Sequence, residues 1–151
     1  MQTFDNVDAV TSRPDFTGTW KLIRGESDFA FLPPPRLRVD TITHRGPDLL
    51  IRTHQKDANG KITVDRKLTI DGEAVDVTVH NRARRIRAWW DDTTLVLETK
   101  FEVSGHARRI EDRLSLDATA KWLTIERSQE QPGGTVRQRL QLRRERAPPS
   151  S

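Results

Sequence analysis

The feature that most constrains this chain is a hydrophobic alternation of period two, interrupted by short turn signals at intervals of about ten residues. Successive side chains of a strand point to opposite faces, so this pattern buries one face of each strand and wets the other. Segments of helical period are absent. The alternation predicts strands at Gly18–Arg24, Arg36–Arg45, Asp48–Asp57, Lys61–Ile70, Glu73–His80, Arg82–Trp90, Thr93–Val103, His106–Leu116, Lys121–Glu130 and Thr135–Arg144.

The turns set the expected pairing. Asp71-Gly72 suits a two-residue type I′ turn, whose central residues both take φ > 0. Ile70 then faces Glu73, Leu68 faces Val75, Arg66 faces Val77 and Val64 faces Val79. Asn59-Gly60 pairs Ala58 with Lys61 and continues the buried face through Leu49, Ile51, Thr53 and Gln55. Asp91-Asp92 pairs Trp90 with Thr93, so Ala88 meets Leu95 and Ile86 meets Leu97. Ser104-Gly105 pairs Val103 with His106, which sets Thr99 against Ile110, Leu97 against Asp112 and Leu95 against Leu114. A loop around Thr119 pairs Leu116 with Leu123 and Asp112 with Arg127. Gln131-Pro132-Gly133-Gly134 sets Gln129 against Val136, Arg127 against Gln138 and Ile125 against Leu140. Independent turns thus agree on one apolar inward face, and a one-residue slip would reverse every side chain. Gly46-Pro47 leaves two registers open. A two-residue turn puts Ile42 and His44 inward; a bulge puts Leu37, Val39 and Thr41 inward.

An unbroken meander loses its exposed edges by closing on itself. The expected fold is therefore all-β, an antiparallel up-and-down meander of about ten strands closed into a barrel. Gly25–Pro35 ends in three prolines, which exclude helix and sheet interior, so a rigid crossing over one barrel end is expected there. At 151 residues the chain fits one domain, expected over 15–146, with a flexible N-terminus at 1–14 and a disordered tail at 147–151.

The absence of Cys excludes disulfides, thiolate metal sites and Cys nucleophiles. No apolar run approaches the roughly 18 residues of a membrane span. Met1–Phe16 carries Asp5, Asp8 and Asp15 and no hydrophobic stretch, so it does not read as a signal peptide. A cytoplasmic protein is the simplest expectation, or a secreted or periplasmic one if a signal peptide has been removed. Lys and Arg number 26 against 22 Asp and Glu, a net charge of +4 of mixed sign. Nucleic-acid binders concentrate their charge, which argues against that partner. His44, His54, His80 and His106 show no metal-type spacing, and no Gly-rich phosphate loop or Gly-x-Ser-x-Gly element occurs. No metal and no cofactor are expected.

The polar positions expected to face inward are Arg66, Glu73, Arg84, Thr99, Asp112, Arg127 and Gln138, with His44 in one register of the second strand. Asp112 and Arg127 can satisfy each other. Arg66 and Arg84 have no inward partner nearby in register, and an unpaired interior charge is costly. Water, a carboxylate across the barrel or an anionic ligand must balance them, unless they lie at the barrel ends and reach solvent.

The opening Phe16-Thr17-Gly18-Thr19-Trp20-Lys21-Leu22 resembles the start of the calycins, the lipocalin and fatty-acid-binding-protein superfamily. Ser27-Asp28-Phe29, the proline-rich crossing and Leu123–Arg127 are similar to bacterial lipocalin-like domains with a Gly-Thr-Trp start. The resemblance implies a calycin-like barrel with Trp20 closing its floor and Arg143 or Arg144 packed over that ring. Two features depart from the fatty-acid-binding proteins: the segment for a helical lid is short and proline-blocked, and there is no Tyr for an Arg-x-Tyr clamp.

Three functions fit. The first is interior binding of a hydrophobic or amphipathic small molecule bearing a carboxylate or carbonyl. Arg66, Arg84, Thr99, Asp112, Arg127 and Gln138 would supply polar contacts, and Trp90, Leu97, Phe101 and Ile125 the walls. The second is an isomerase, cyclase or lyase on the same barrel, with Asp112 and Arg127 as weak catalytic candidates, since Arg ordinarily lowers an Asp pKa. The third is a surface module using Arg137, Arg139 and Arg143 of the last strand. Trp89 and Trp122 face outward, and a homodimer patch follows if they lie close in space.

Overall fold

The computed structural model describes residues 13–79 and 81–146. It is all-β, with ten strands: β1 (Gly18–Leu22), β2 (Leu37–Arg45), β3 (Asp48–Asp57), β4 (Gly60–Thr69), β5 (Val75–Val79), β6 (Arg82–Asp91), β7 (Thr94–Val103), β8 (His106–Leu116), β9 (Trp122–Gln131) and β10 (Gly134–Arg144). They form one antiparallel sheet in the order β4-β3-β2-β1-β10-β9-β8-β7-β6-β5, curled into a nearly closed barrel. The flexible N-terminus expected at 1–14 falls almost wholly outside the described residues, as do the tail at 147–151 and His80.

The register of β2 is the two-residue solution. Arg45 pairs with Asp48 and Ile42 with Ile51, which turns Arg38, Asp40, Ile42 and His44 inward. Three later hairpins have the expected register: Val103↔His106, Leu116↔Leu123 and Gln129↔Val136. At the first of these, Ser104 and Gly105 both take positive φ, as a type I′ turn requires.

Two hairpins slip by two residues. Lys56 pairs with Lys61, so the turn is Ala58-Asn59, and the Asp57 carboxylate accepts from the Asn59 N–H at 2.9 Å. Trp90 pairs with Leu95 around Asp92-Thr93, where Asp92 takes φ +59°. A slip of two preserves the buried face, which is why the inward set survives.

The Asp71-Gly72 hairpin does not form. Only Gly72 takes positive φ. The Asp71 carboxylate accepts from the Glu73 N–H at 2.8 Å in a local turn. Gly72 N–H donates to the Ala88 carbonyl at 2.8 Å, drawing this loop onto β6 instead of folding β5 back on β4. Among the described residues no ladder joins β4 to β5, and the barrel wall is open there. Glu73, expected inward, is consequently exposed in the loop.

The core fills one end. Trp20, Leu49, Leu95, Leu97, Leu114, Leu123, Ile125 and Leu142 are buried together. Trp20 donates to the Phe16 carbonyl at 2.9 Å. The Arg144 guanidinium lies 4.3 Å from the Trp20 ring centre and donates to the Thr17 and Ala120 carbonyls, so Arg144 and not Arg143 caps the floor. A Cβ on Gly18 would meet Arg144 Nη1 at 2.5 Å, which explains the glycine two residues before the tryptophan. The proline-rich crossing is clipped to β10 by paired Asp28–Arg139 backbone bonds of 2.8 Å and lands on β3 through Arg36 N–H to the Lys56 carbonyl.

Candidate functional site

The opposite half of the barrel is hollow. A cavity of about 250 Å³ is walled by the inward residues of β2 to β9. Its apolar lining is Ile62, Val64, Val79, Ile86 and Ile110, and its polar lining includes Arg38, Thr53, Arg66, Arg84, Thr99, Asp112 and Arg127.

Two ion pairs are complete. Arg127 Nε and Nη2 donate to both Asp112 oxygens at 2.8 and 3.0 Å. Arg38 Nε and Nη2 donate to both Asp40 oxygens at 3.2 and 3.0 Å. Burial alone would raise both carboxyl pKa values. For Asp112 the neighbouring Arg127, Arg38 and Arg66 outweigh it, and for Asp40 the neighbouring Arg38 and Arg66 do, so both carboxylates stay charged, below their ordinary values.

Two cations are left over. Arg66 donates to Thr53 Oγ1 at 3.2 Å and has no carboxylate of its own. Burial lowers its pKa; attraction from Asp40 and Asp112 is opposed by Arg38 and Arg127. Arg84 lies 4.5 Å over the Phe101 ring, and its Nε is buried without a hydrogen-bond partner among the described residues. Burial, then repulsion from Arg82 and Arg127, lowers its pKa as well. Four arginines thus face two aspartates, an interior surplus of two positive charges.

Of the residues expected to bind ligand, Arg66, Arg84, Thr99, Asp112 and Arg127 come together on this cavity. Phe101 stands at its mouth against Arg84. The others lie elsewhere. Leu97 and Ile125 belong to the solid core. Trp90 caps the floor, stacked on Phe16 at 6.1 Å and beside His44 at 5.9 Å. Gln138 is occupied on both sides, donating to the Phe29 carbonyl and accepting from Gln129, and so holds the crossing. Alternation gave their face correctly but not their depth along the barrel axis. Arg38 and Asp40 escaped because they become inward only once the Gly46-Pro47 register is fixed.

Trp89 and Trp122 sit on β6 and β9, three strands apart, each under its own arginine: Arg87 at 4.6 Å and Arg143 at 5.5 Å. Outside the barrel, Glu98 is buried between Arg87 and Arg109 at 2.6 and 2.7 Å. Among the described residues no three His, Asp or Glu converge as a metal site, and no helix is long and apolar enough to cross a membrane.

No family model and no curated protein matches the sequence. Solved structures do match in shape. A SAHS (abundant heat soluble) protein of Ramazzottius varieornatus superposes with a TM-score of 0.67 at 15% identity, over 85% of this chain and 94% of that one. A zebrafish ileal bile acid-binding protein complexed with cholic acid gives 0.61 at 12%, over 86% and 98%. A Schistosoma mansoni fatty acid binding protein with arachidonic acid gives 0.55 at 14%, over 89% and 99%. The chain therefore shares the ten-stranded antiparallel barrel fold of these proteins.

Proposed function

We propose that this protein binds a small amphipathic carboxylic acid inside the barrel, its carboxylate on Arg66 and Arg84 and its apolar part on Ile62, Val64, Ile86 and Ile110. The observation that carries this reading is the surplus of two guanidiniums over the two closed ion pairs. An interior cation without a counterion costs several kcal/mol unless water or an anion reaches it. The two surplus arginines face the cavity, so a ligand carboxylate is the anion that offsets one of the two charges. Two neighbours in shape hold carboxylic acids, cholic and arachidonic acid. At about 250 Å³ the cavity falls just below ordinary ligand pockets of roughly 300–1,000 Å³, which favours a slender ligand.

A catalytic role for Asp112 finds less support. Arg127 occupies both of its oxygens, and its lowered pKa makes it a weak base. The basic last strand is likewise partly spent, since Arg139 pairs with Glu126 and Arg143 covers Trp122.

Isothermal titration with dodecanoate and cholate tests the proposal. The expected result is saturable one-to-one binding of at least one acid, weakened tenfold or more by Arg66→Gln with the circular dichroism spectrum unchanged. Absence of both heat and thermal shift across straight-chain and sterol acids would overturn it.

A further inference from the structure

The β6–β7 ladder runs from Asp91↔Thr94 only as far as Arg85↔Lys100. Beyond that point β6 stays with β5 and β7 stays with β8. The two hairpins part as a fork at the open end of the barrel, and a groove of about 920 Å³ lies there.

Strand alternation sorts the charges of this groove. Asp76, Glu102 and Glu130 fall on the outward positions of their strands, and Asp76 is already bonded to Arg85 at 3.3 Å. Arg82, Arg84 and Arg108 fall on the inward positions, continuing the rows of Ile86 and Ile110. Arg84 and Arg108 flank Phe101 on either side: Arg108 is its cross-strand partner, and the Arg84 guanidinium lies 4.5 Å over its ring. Arg84 and Arg108 thus meet at the Phe101 ring, and Arg82, the next inward residue of β6, lines the same groove. None has a carboxylate partner among the described residues, and the Arg84 Nε is buried with no partner of any kind. Arg84 also walls the interior cavity, so groove and cavity share it.

We propose that Arg82, Arg84 and Arg108 form a second anion site at the mouth. The ligand class becomes acids with an anionic group at each end, one inside the barrel and one in the fork. This deepens the interior reading and rests on it for the buried end. With Arg84 held at the mouth by Phe101, the inner carboxylate of such an acid rests on Arg66, which lies within electrostatic reach of Asp112. Leu97 pairs with Asp112 and Phe101 with Arg108, so the two ends stand a step of four residues apart, or roughly 13 Å along the strand.

Calorimetry on the whole protein with octanedioate, decanedioate and dodecanedioate, each against its monoacid, tests this. We expect the best diacid to bind at least tenfold tighter than its monoacid, and Arg108→Gln to remove that advantage while leaving the monoacid unchanged. Equal binding of both acids, or equal weakening of both by Arg108→Gln, overturns the mouth site and leaves the interior site standing. If no acid binds, the interior reading fails, and the mouth is judged with pyrophosphate alone. Saturable pyrophosphate binding lost in Arg108→Gln upholds the site; no binding overturns it.

Discussion

Replacing Arg127 by Met removes one half of the best-made interior pair while preserving much of its bulk. Asp112 is 5% exposed and loses both of its bonds, of 2.8 and 3.0 Å. Breaking a buried pair from one side costs about 3–5 kcal/mol, because the other charge is stranded. Arg38 and Arg66 already attract Asp112, and Arg127 is itself partly exposed, so the lower figure, about 3 kcal/mol at pH 7, is expected. For a domain of this size that lowers Tm by about 6–12 °C.

The loss depends on pH, and its sign is fixed. In the wild type the folded Asp112 pKa lies below its unfolded value. The pair's contribution is therefore complete above the ordinary Asp range and fades as pH falls through the folded pKa. In Arg127→Met burial dominates and lifts the Asp112 pKa, so the variant takes up a proton on acidification. The gap between the two proteins is widest near neutrality and narrows towards pH 4. Urea melts at several pH values measure it. Asp112→Leu combined with Arg127→Met should recover most of the loss, since a buried pair replaced whole by apolar residues is near neutral. A gap under 1 kcal/mol at pH 7, or one that stays constant with pH, would refute the reasoning.

Two further outcomes follow from the geometry. Gly18→Ala places a methyl against Arg144 at a backbone φ of +152° and should cost about 2 kcal/mol, read by urea denaturation. Combined with Arg144→Ala the cost should be less than the sum of the two, since the clash then has no partner. Glu98→Gln removes the charge that joins Arg87 to Arg109 and should cost about 1–3 kcal/mol at pH 7. Burial alone would raise the Glu98 pKa, but the two arginines hold it below its ordinary value, so this deficit should vanish as pH falls through the folded pKa.

What was legible in the residues was parity. Ser104-Gly105 and Gln131–Gly134 specify their pairings outright because their backbones need glycine at fixed places. Asn59-Gly60 and Asp91-Asp92 mislead about the pairing but not about the face, since each hairpin shifts by an even step. Asp71-Gly72 misleads about the pairing and about Glu73, though Val64, Arg66, Leu68, Val75, Val77 and Val79 do face inward: this turn signal lies where the sheet is open, because the Asp71 carboxylate and Ala88 carbonyl offer the loop better partners than β4 does. Depth along the axis was the quantity missing for the site. Trp90 and Phe101 both face inward, yet one plugs the floor and the other stands at the mouth. The hairpin register separates them, since Trp90 pairs with Leu95 and Phe101 lies six residues further along β7, roughly 20 Å; alternation says nothing about which of those two ends the core fills.

The strand order has a consequence for how the barrel is held shut. Started at β5, the sheet runs β5-β6-β7-β8-β9-β10-β1-β2-β3-β4, a meander in unbroken succession. The seam at which covalent continuity is interrupted, between β10 and β1, is fully laddered by Trp20↔Arg144, Lys21↔Arg143 and Leu22↔Leu142. At the opening between β4 and β5 the situation is reversed, with peptide bonds running across it and no ladder. A chain rewired to join β10 to β1 and cut at Gly72 would keep every ladder and lose only the tether across the opening. The barrel is thus topologically a ribbon with one loose hem, held across among the described residues by the Ile70–Ala88 bridge and the Gly72 N–H bond to the Ala88 carbonyl and by no ladder.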